Sequence, residues 1–321
     1  MHAWTNDTAP QAPGLTIGPL AYWWPRPEMM AFYAAVAEGP ADTVVIGEVT
    51  CSRRHDWKVA DWLALGRDLR SAGKQVRLAT LPLLMDEAEQ RVMRLLVEQD
   101  DWVVEAGDLG AVAALEAAWP LAPHRPGHVL GPQVNVYNAD TLAELAQDGC
   151  RGWVLGAELP VASLPAIAAG APELFTEVLA FGRVPLAFSA RCFTARHHHL
   201  RKDDCQFRCR DDADGLLLST SDGTPFLALN GTQTQSAALH CALGDAALLR
   251  ASGAHHWRLL PCSGPFDQVV ALFDAVRHGR SAPAEALAEL TRLPLPGALA
   301  HGYTLGQPGC LPVPLSTREA A

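Results

Sequence analysis

The sequence lacks the features that mark secreted, membrane-spanning and dinucleotide-binding proteins. Its first residues contain neither a basic segment nor an apolar core, so we expect no signal peptide. No apolar run reaches the ~18–20 residues that cross a bilayer, so we expect no transmembrane segment. Acidic residues outnumber basic ones by 35 to 25, and this net charge of -10 argues against a nucleic-acid partner. We therefore expect a soluble cytoplasmic protein.

What the chain does contain is a regular alternation of short apolar runs and helical segments. This alternation approaches eight strand–helix pairs over about 280 of the 321 residues. Strands separated by helices form parallel sheets, and no glycine-rich fingerprint supports an open dinucleotide-binding sheet. The sequence therefore predicts an α/β protein with a (β/α)8 TIM-barrel-like domain over residues 1–292.

Two segments depart from this alternation. A charged insertion of about residues 193–235 follows the seventh strand region and carries cysteines. Residues 293–321 are rich in proline and glycine and are expected to form a peripheral tail. A last strand is predicted over 255–262, with a long helix before it and another after it.

The cysteines are distributed unevenly. Cys51 directly follows the second predicted strand, whereas Cys192, Cys205 and Cys209 form a C-x12-C-x3-C pattern after the seventh. Because chemistry in such barrels gathers at the carboxyl ends of the strands, these four thiols can converge. Four thiolates suit an iron–sulfur cluster or a structural zinc ion. An inert basic loop and a redox disulfide are the alternatives, and the run His197, His198 and His199 offers zinc ligands or simply a solvated turn.

Four polar residues at predicted strand ends are candidate substrate contacts. Glu48 can act as a general acid or base, or form an ion pair with Arg53 or Arg54. Asn135, Tyr137 and Glu158 can contact a substrate, or only make hydrogen bonds that close the barrel. Tyr22, Trp23 and Trp24 follow the first strand and can form a wall for an aromatic substrate or part of the core.

The segments "GEVTCSRRHDW" (47–57) and "SARCFTARHHHLRKDDCQFRC" (189–209) resemble the collagenase-like peptidase family, and the resemblance runs from about residue 15 to 290. Within that family the match is to a branch of oxygen-independent ubiquinone biosynthesis. The resemblance implies a 4Fe–4S cluster on Cys51, Cys192, Cys205 and Cys209. It also implies a heterodimer with a UbiU-type sister subunit and a UbiT-type lipid-carrier protein. The prenylated ubiquinone precursor is then the implied substrate, with prephenate as the implied oxygen source.

Three functions follow from this reading. The first is an iron–sulfur component of an oxygen-independent ring-hydroxylation complex. The second is a non-catalytic partner subunit in which a 4Fe–4S or zinc site is structural. The third is a peptidase, for which the chain shows no nucleophile-elbow motif around Ser189.

Overall fold

The computed structural model describes residues 12–119, 127–146 and 149–314. Its strands are β1 (Gly14–Ile17), β2 (Thr43–Ile46), β3 (Gln75–Ala79), β4 (Val103–Ala106), β5 (His128–Leu130), β6 (Cys150–Val154), β7 (Phe175–Phe188), β8 (Leu216–Ser219), β9 (Pro225–Asn230), β10 (Gln233–Cys241), β11 (His256–Leu259) and β12 (Leu299–Ala300). Its α-helices are α1 (Arg26–Glu38), α2 (Val59–Ser71), α3 (Glu87–Val97), α4 (Leu109–Ala118), α5 (Ala139–Leu145), α6 (Leu164–Ala168), α7 (Phe193–His197), α8 (Ala246–Ala251), α9 (Phe266–Arg277) and α10 (Pro283–Leu290).

The strands β1 to β7 and β11 form a closed barrel in which every neighbouring pair is parallel. Closure occurs at β11, which pairs with β1 on one side and β7 on the other. Helices between the strands cover the outside, where Trp102, Trp153 and Trp257 are among the fully buried side chains. The predicted TIM-barrel-like fold is confirmed.

Charged side chains occupy part of the barrel interior. Arg77 Nη1 lies 2.8 Å from Glu177 Oε2, and Arg258 Nη1 lies 2.8 Å from Glu105 Oε1. Arg258 also pairs with Glu177, so two arginines and two glutamates from four strands balance their charges. Each charge is buried but paired, which is the condition under which ions are tolerated inside a protein. This quartet forms a polar layer beneath the mouth of the barrel.

The insertion begins where β7 extends beyond the barrel. There β7 pairs antiparallel with β10, which continues through β9 to β8. The prediction of a long helix before the last barrel strand is wrong, because β10 and the short helix α8 fill that stretch. Gln233 and Gln235 are two residues apart, which is the period of a β-strand. The segment that contains them accordingly forms strand β10.

The segment after residue 292 packs onto this extension. Strand β12 pairs with β10 in parallel, and Val313 is buried in the core. The loop after β12 brings Tyr303 to the mouth of the barrel. Within the described ranges, every helix is too short or too polar to span a bilayer.

Candidate functional site

Four cysteines from two distant parts of the chain line one small cavity at the mouth of the barrel. They are Cys51, Cys192, Cys205 and Cys209, and none is in a disulfide. Cys51 lies in the loop after β2, and Cys192 caps α7 by accepting a hydrogen bond from Ala195 N at 3.4 Å. The structure thus brings together the four thiols that the sequence singled out.

The loop that carries Cys205 and Cys209 has an unusual backbone. Gln206 and Phe207 lie between the two cysteines, and both have positive φ angles, 52° and 55°. Non-glycine residues rarely adopt this left-handed conformation, and such residues concentrate at functional sites. The turn that they form places Cys205 and Cys209 along the same cavity.

Aromatic and charged contacts fix this loop to the barrel. Trp23 packs edge-on against Phe207, with ring centroids 5.2 Å apart, and the guanidinium of Arg210 lies 3.7 Å from the Trp23 ring. Asp56 accepts hydrogen bonds from Trp23 Nε1 at 2.9 Å and from Arg210 Nη2 at 2.6 Å. The insertion is therefore held against the loops that follow β1 and β2.

The electrostatics of the cavity depend on burial and on nearby arginines. Burial raises the pKa of Cys51, Cys192 and Cys209, and neighbouring thiols raise the pKa of Cys192 and Cys209 further. The charge of Arg54 acts in the opposite direction on Cys51 and Cys209. Arg53 and Lys202 add two more cations to the cavity wall. Such cations favour the thiolate form that metal binding requires.

Glu48 supports the cysteine loop rather than the barrel interior. Its Oε1 accepts hydrogen bonds from Thr50 N at 2.8 Å and Cys51 N at 2.9 Å, and it lies 3.7 Å from Arg54 Nη1. Burial raises the pKa of this carboxyl, and Arg54 opposes the shift. Glu48 therefore forms the ion pair with Arg54, which the sequence offered as the alternative to a role as general acid or base.

The three consecutive histidines lie apart from the thiols. His197 and His199 are exposed, and the described residues that line the cysteine cavity include no histidine. Within the described ranges, no three His, Cys, Asp or Glu side chains have the arrangement of a metal-ion site. The cavity that the four cysteines line, together with residues such as Trp23 and Phe207, has a volume of about 10 Å³.

A second, larger cavity of about 580 Å³ opens at the carboxyl ends of the barrel strands. Asn135, Tyr137 and Glu158 line it together, as expected for strand-end residues of a barrel. The Tyr137 hydroxyl donates to the Glu158 carboxylate, and this hydrogen bond raises the pKa of Tyr137 to about 12. Asn135 Oδ1 lies 3.4 Å from the same hydroxyl. Three of the four candidate contacts therefore share one cavity, and Glu48 is not among them.

The two cavities adjoin through the residues after β1. Tyr22 lines the barrel cavity, whereas the next residue, Trp23, lines the cysteine cavity. Trp24 lines neither and donates from Nε1 to Ala213 O at 2.7 Å. The three aromatic residues therefore do not form a single wall. Tyr22 lines the barrel cavity, Trp23 lines the cysteine cavity, and Trp24 is hydrogen-bonded to the insertion.

Several residues of the barrel cavity were not anticipated from the sequence. Arg183 from β7 and Gln233 and Gln235 from β10 line it, with Gln235 Oε1 accepting a hydrogen bond from Tyr22 at 3.0 Å. Two sequence features could have indicated these cavity residues. One is the arginine within the apolar run "FGRVPLAF", and the other is the pair of glutamines two residues apart in "NGTQTQS". Alternate residues of a strand face the same side, so the two glutamines share one face.

An apolar groove of about 770 Å³ lies on the outer side of the same loops, between α2 and α3. Its wall includes Trp57, Trp62, Leu84, Val92 and Leu96. Val92 is 45% exposed, so the groove is open to solvent. At one end it shares Arg53 and Arg54 with the cysteine cavity.

Comparison with solved structures finds several barrel enzymes of low sequence identity. The spore cortex-lytic enzyme SleL of Bacillus cereus is 11% identical with a TM-score of 0.43, over 81% of this chain and 74% of that one. Phospho-2-dehydro-3-deoxyheptonate aldolase of Thermotoga maritima is 12% identical with a TM-score of 0.43, over 88% and 70%. Dihydropteroate synthase of Thermus thermophilus is 15% identical with a TM-score of 0.38, over 82% and 94%.

Comparison with family models gives a more specific result. The model of peptidase family U32, the collagenase-like peptidase family, matches residues 28–259. This match spans most of the barrel and includes all four cysteines and the three candidate contacts of the barrel cavity. The chain therefore belongs to peptidase family U32.

Proposed function

We propose that this protein is the iron–sulfur component of an oxygen-independent hydroxylation of ubiquinone precursors, similar to UbiV within its family. The observation that carries the proposal is the convergence of Cys51, Cys192, Cys205 and Cys209 on one cavity. Four cysteines are the usual ligand set of a 4Fe–4S cluster. A UbiU-type sister subunit, a UbiT-type lipid carrier and prephenate as oxygen source complete the proposed system.

The donor set fits the cluster in its chemistry. All four thiols are free, and the cavity wall carries Arg53, Arg54 and Lys202, whose charges offset the negative charge of a thiolate-bound cluster. Gly231 lines the same cavity with a φ of 62°, and a side chain there would meet Arg54 Nη2 at 3.4 Å. Cys51, Cys192, Cys205 and Cys209 are the residues that would hold the cluster.

The chain's own residues divide the remaining tasks. Glu48 holds the backbone of Cys51, and Arg54 links that loop to Asn230 at the end of β9. The barrel cavity, with Asn135, Tyr137 and Glu158, takes the aromatic ring of the precursor. When bound, a 4Fe–4S cluster supplies single-electron transfer. Tyr22 and Trp23 form the short path between the two cavities.

The groove between α2 and α3 supports a substrate with a long apolar tail. Its lining is mainly hydrophobic, and it starts beside the cysteine cavity. Burial of a prenyl chain against these side chains releases water from both surfaces, which favours binding. An isoprenoid chain also has no polar groups that the groove would leave unpaired.

Metal analysis of protein purified without air tests the cluster. We expect a brown protein with about four irons and four sulfides per chain. Cys205→Ser should lower the iron content severely, whereas Cys310→Ser, at an exposed cysteine outside the cavity, should leave it unchanged. A folded, colourless protein without iron under these conditions contradicts the proposal, and stoichiometric zinc in its place favours a structural site.

The role of the cluster requires a second measurement. If Cys205→Ser abolishes hydroxylation while the heterodimer and its thermal stability persist, the cluster takes part in the chemistry. If the heterodimer dissociates instead, the subunit is a structural partner of the catalytic chain. Peptide cleavage that survives removal of iron would support a peptidase and contradict both readings.

A further inference from the structure

A network of buried polar side chains connects the barrel cavity to the cysteine cavity. Each member is at most 6% exposed, and the members are Tyr22, Arg54, Asn230, Gln233 and Gln235. Tyr22, Gln233 and Gln235 line the barrel cavity. Arg54, at the other end, lines the cysteine cavity. Burial of so many polar groups is costly unless each finds a partner, so this buried network calls for an explanation beyond packing.

The hydrogen bonds of the buried network run without a break from one end to the other. Tyr22 donates from its hydroxyl to Gln235 Oε1 at 3.0 Å, and Gln235 Nε2 donates to Gln233 Oε1 at 2.9 Å. Asn230 Nδ2 donates to the same oxygen of Gln233 at 3.4 Å. Arg54 Nη2 donates to Asn230 Oδ1 at 2.7 Å. Asn230 and Gln235 each accept one of these bonds and donate another, so neither amide can turn over without breaking both.

A tight turn between β9 and β10 creates this arrangement. Asn230 and Gln233 are paired residues of the two strands, and Gly231, in the turn between them, has a φ of 62°, which suits glycine. Gln235 is two residues further along β10 and therefore faces the same side as Gln233. The carbonyl of Ala21 joins the buried network to the loop after β1, because it accepts a hydrogen bond from Asn230 Nδ2 at 2.8 Å.

We propose that Asn230 and Gln233 are positioning residues that hold Arg54 beside the cysteines and link its position to the hydrogen bond of Tyr22 in the barrel cavity. The effect on the metal site rests on the proposed function, because it requires that the four cysteines hold a 4Fe–4S cluster. Reduction adds negative charge to such a cluster, so a fixed cation beside it favours the reduced form. A change at the Tyr22 end then alters how readily the cluster accepts an electron.

A double-mutant cycle on cluster-free protein tests the buried network by itself. Tyr22→Phe removes one hydroxyl at the barrel cavity, and Arg54→Met removes the guanidinium at the other end. Either change frees the amides between the two sites to turn, so the second change should then cost less. We expect the double variant to lose less unfolding free energy, measured by urea denaturation, than the sum of the two single losses. Strict additivity would show two independent sites and overturn the proposal.

Tyr303→Phe is the matched control for this cycle. Tyr303 lines the same barrel cavity but comes from the segment after β12, outside the buried network. Combined with Arg54→Met, this change should give additive losses of unfolding free energy. A coupling as large as that of Tyr22→Phe would show a general loosening of the cavity, and it would overturn the roles assigned to Asn230 and Gln233.

Redox titration of anaerobically reconstituted protein tests the effect on the cluster. With dithionite as the reductant and electron paramagnetic resonance as the readout, Asn230→Leu should shift the reduction equilibrium about tenfold toward the oxidised form, ~59 mV for one electron. Gln233→Met and Tyr22→Phe should shift it in the same direction by smaller amounts, and they keep the test valid if Asn230→Leu does not fold. Tyr303→Phe should leave the potential unchanged. Wild-type potentials in the three network variants, at wild-type iron content, overturn the proposal.

The two measurements separate this inference from the proposed function. If the protein takes up no iron but the cycle shows coupling, the proposed cluster is wrong and the hydrogen-bonded link between the cavities stands. If the cluster is present and the cycle is additive, the cluster stands and the link is wrong.

Discussion

At the scale of single residues, Arg54 connects the loop after β2, which carries Cys51, to the loop after β1 and to the end of β9. It donates to Ala21 O at 2.6 Å and to Asn230 Oδ1 at 2.7 Å, and it pairs with Glu48 at 3.7 Å. Removal of a buried charged donor leaves its acceptors without partners. We expect Arg54→Met to lower the free energy of unfolding by about 3 kcal/mol, measured by urea denaturation of cluster-free protein.

The neighbouring arginine provides the control for this prediction. Arg53 lines the same cavity, and its guanidinium carbon lies 5.8 Å from the centroid of the Phe207 ring. A cation–π contact of this kind contributes about 0.5–1 kcal/mol, so Arg53→Met should cost far less. Equal losses of unfolding free energy in the two variants would contradict the prediction that the buried, hydrogen-bonded Arg54 contributes more to stability than Arg53.

At the scale of elements, the loop between α7 and β8 carries two of the four cysteines, Cys205 and Cys209. Its backbone contains the left-handed residues His199, Gln206 and Phe207. Bonds from Cys205 and Cys209 to iron would tie this loop to the barrel. We expect amide hydrogen exchange in residues 199–211 to slow by about tenfold or more after anaerobic reconstitution.

The barrel helices serve as the internal reference for that experiment. Exchange in α9 and α10, which pack against each other away from the insertion, should be the same with and without the cluster. Cys310→Ser should show the wild-type protection, and Cys205→Ser should show none. Identical exchange of residues 199–211 in loaded and cluster-free protein would mean that the loop does not hold the cluster.

Sequence patterns could predict some of these structural elements but not others. Local alternation of apolar strands and helices was enough for the barrel, because each strand such as β2 or β3 is short and largely buried. The positions of Cys51 and Cys192 at strand ends then followed from the barrel itself. These predictions depended on local periodicity and chain order alone.

The position of Arg183 could not be predicted in this way. Strand β7 belongs to the barrel at one end and to the antiparallel extension at the other, with register shifts against β10 and β11. At the bend, Gly182 has a φ of 116°, and a Cβ there would lie 2.5 Å from Leu260 Cβ. Which side chain faces the cavity after such a bend depends on tertiary contacts that the alternation of residues does not record.

At the scale of the whole molecule, buried histidines should make stability depend on pH. Burial lowers the pKa of His240 and of His256 to about 4, against ~6.5 in an unfolded chain. Between these values the unfolded state binds protons that the folded state does not, so stability falls as pH falls from about 6.5 to 4. Each histidine should contribute a loss of up to about 3 kcal/mol over that interval.

Other groups also titrate in this range, among them Glu48, whose pKa burial raises, and His255, whose pKa burial lowers, so the contribution of His240 is the difference between wild type and His240→Gln. Nearby Arg258 and Arg77 overcome the effect of burial and hold the pKa of Glu177 far below its usual value, so its stabilisation is lost only below about pH 4.5. Stability should therefore be measured from pH 6.5 to 4.5 by urea denaturation of cluster-free protein. His240→Gln should reduce the slope of unfolding free energy against pH by about one proton, ~1.4 kcal/mol per pH unit. His197→Gln, at an exposed histidine, should leave the slope unchanged; the same slope in His240→Gln as in wild type would mean that His240 titrates alike in the folded and unfolded chain.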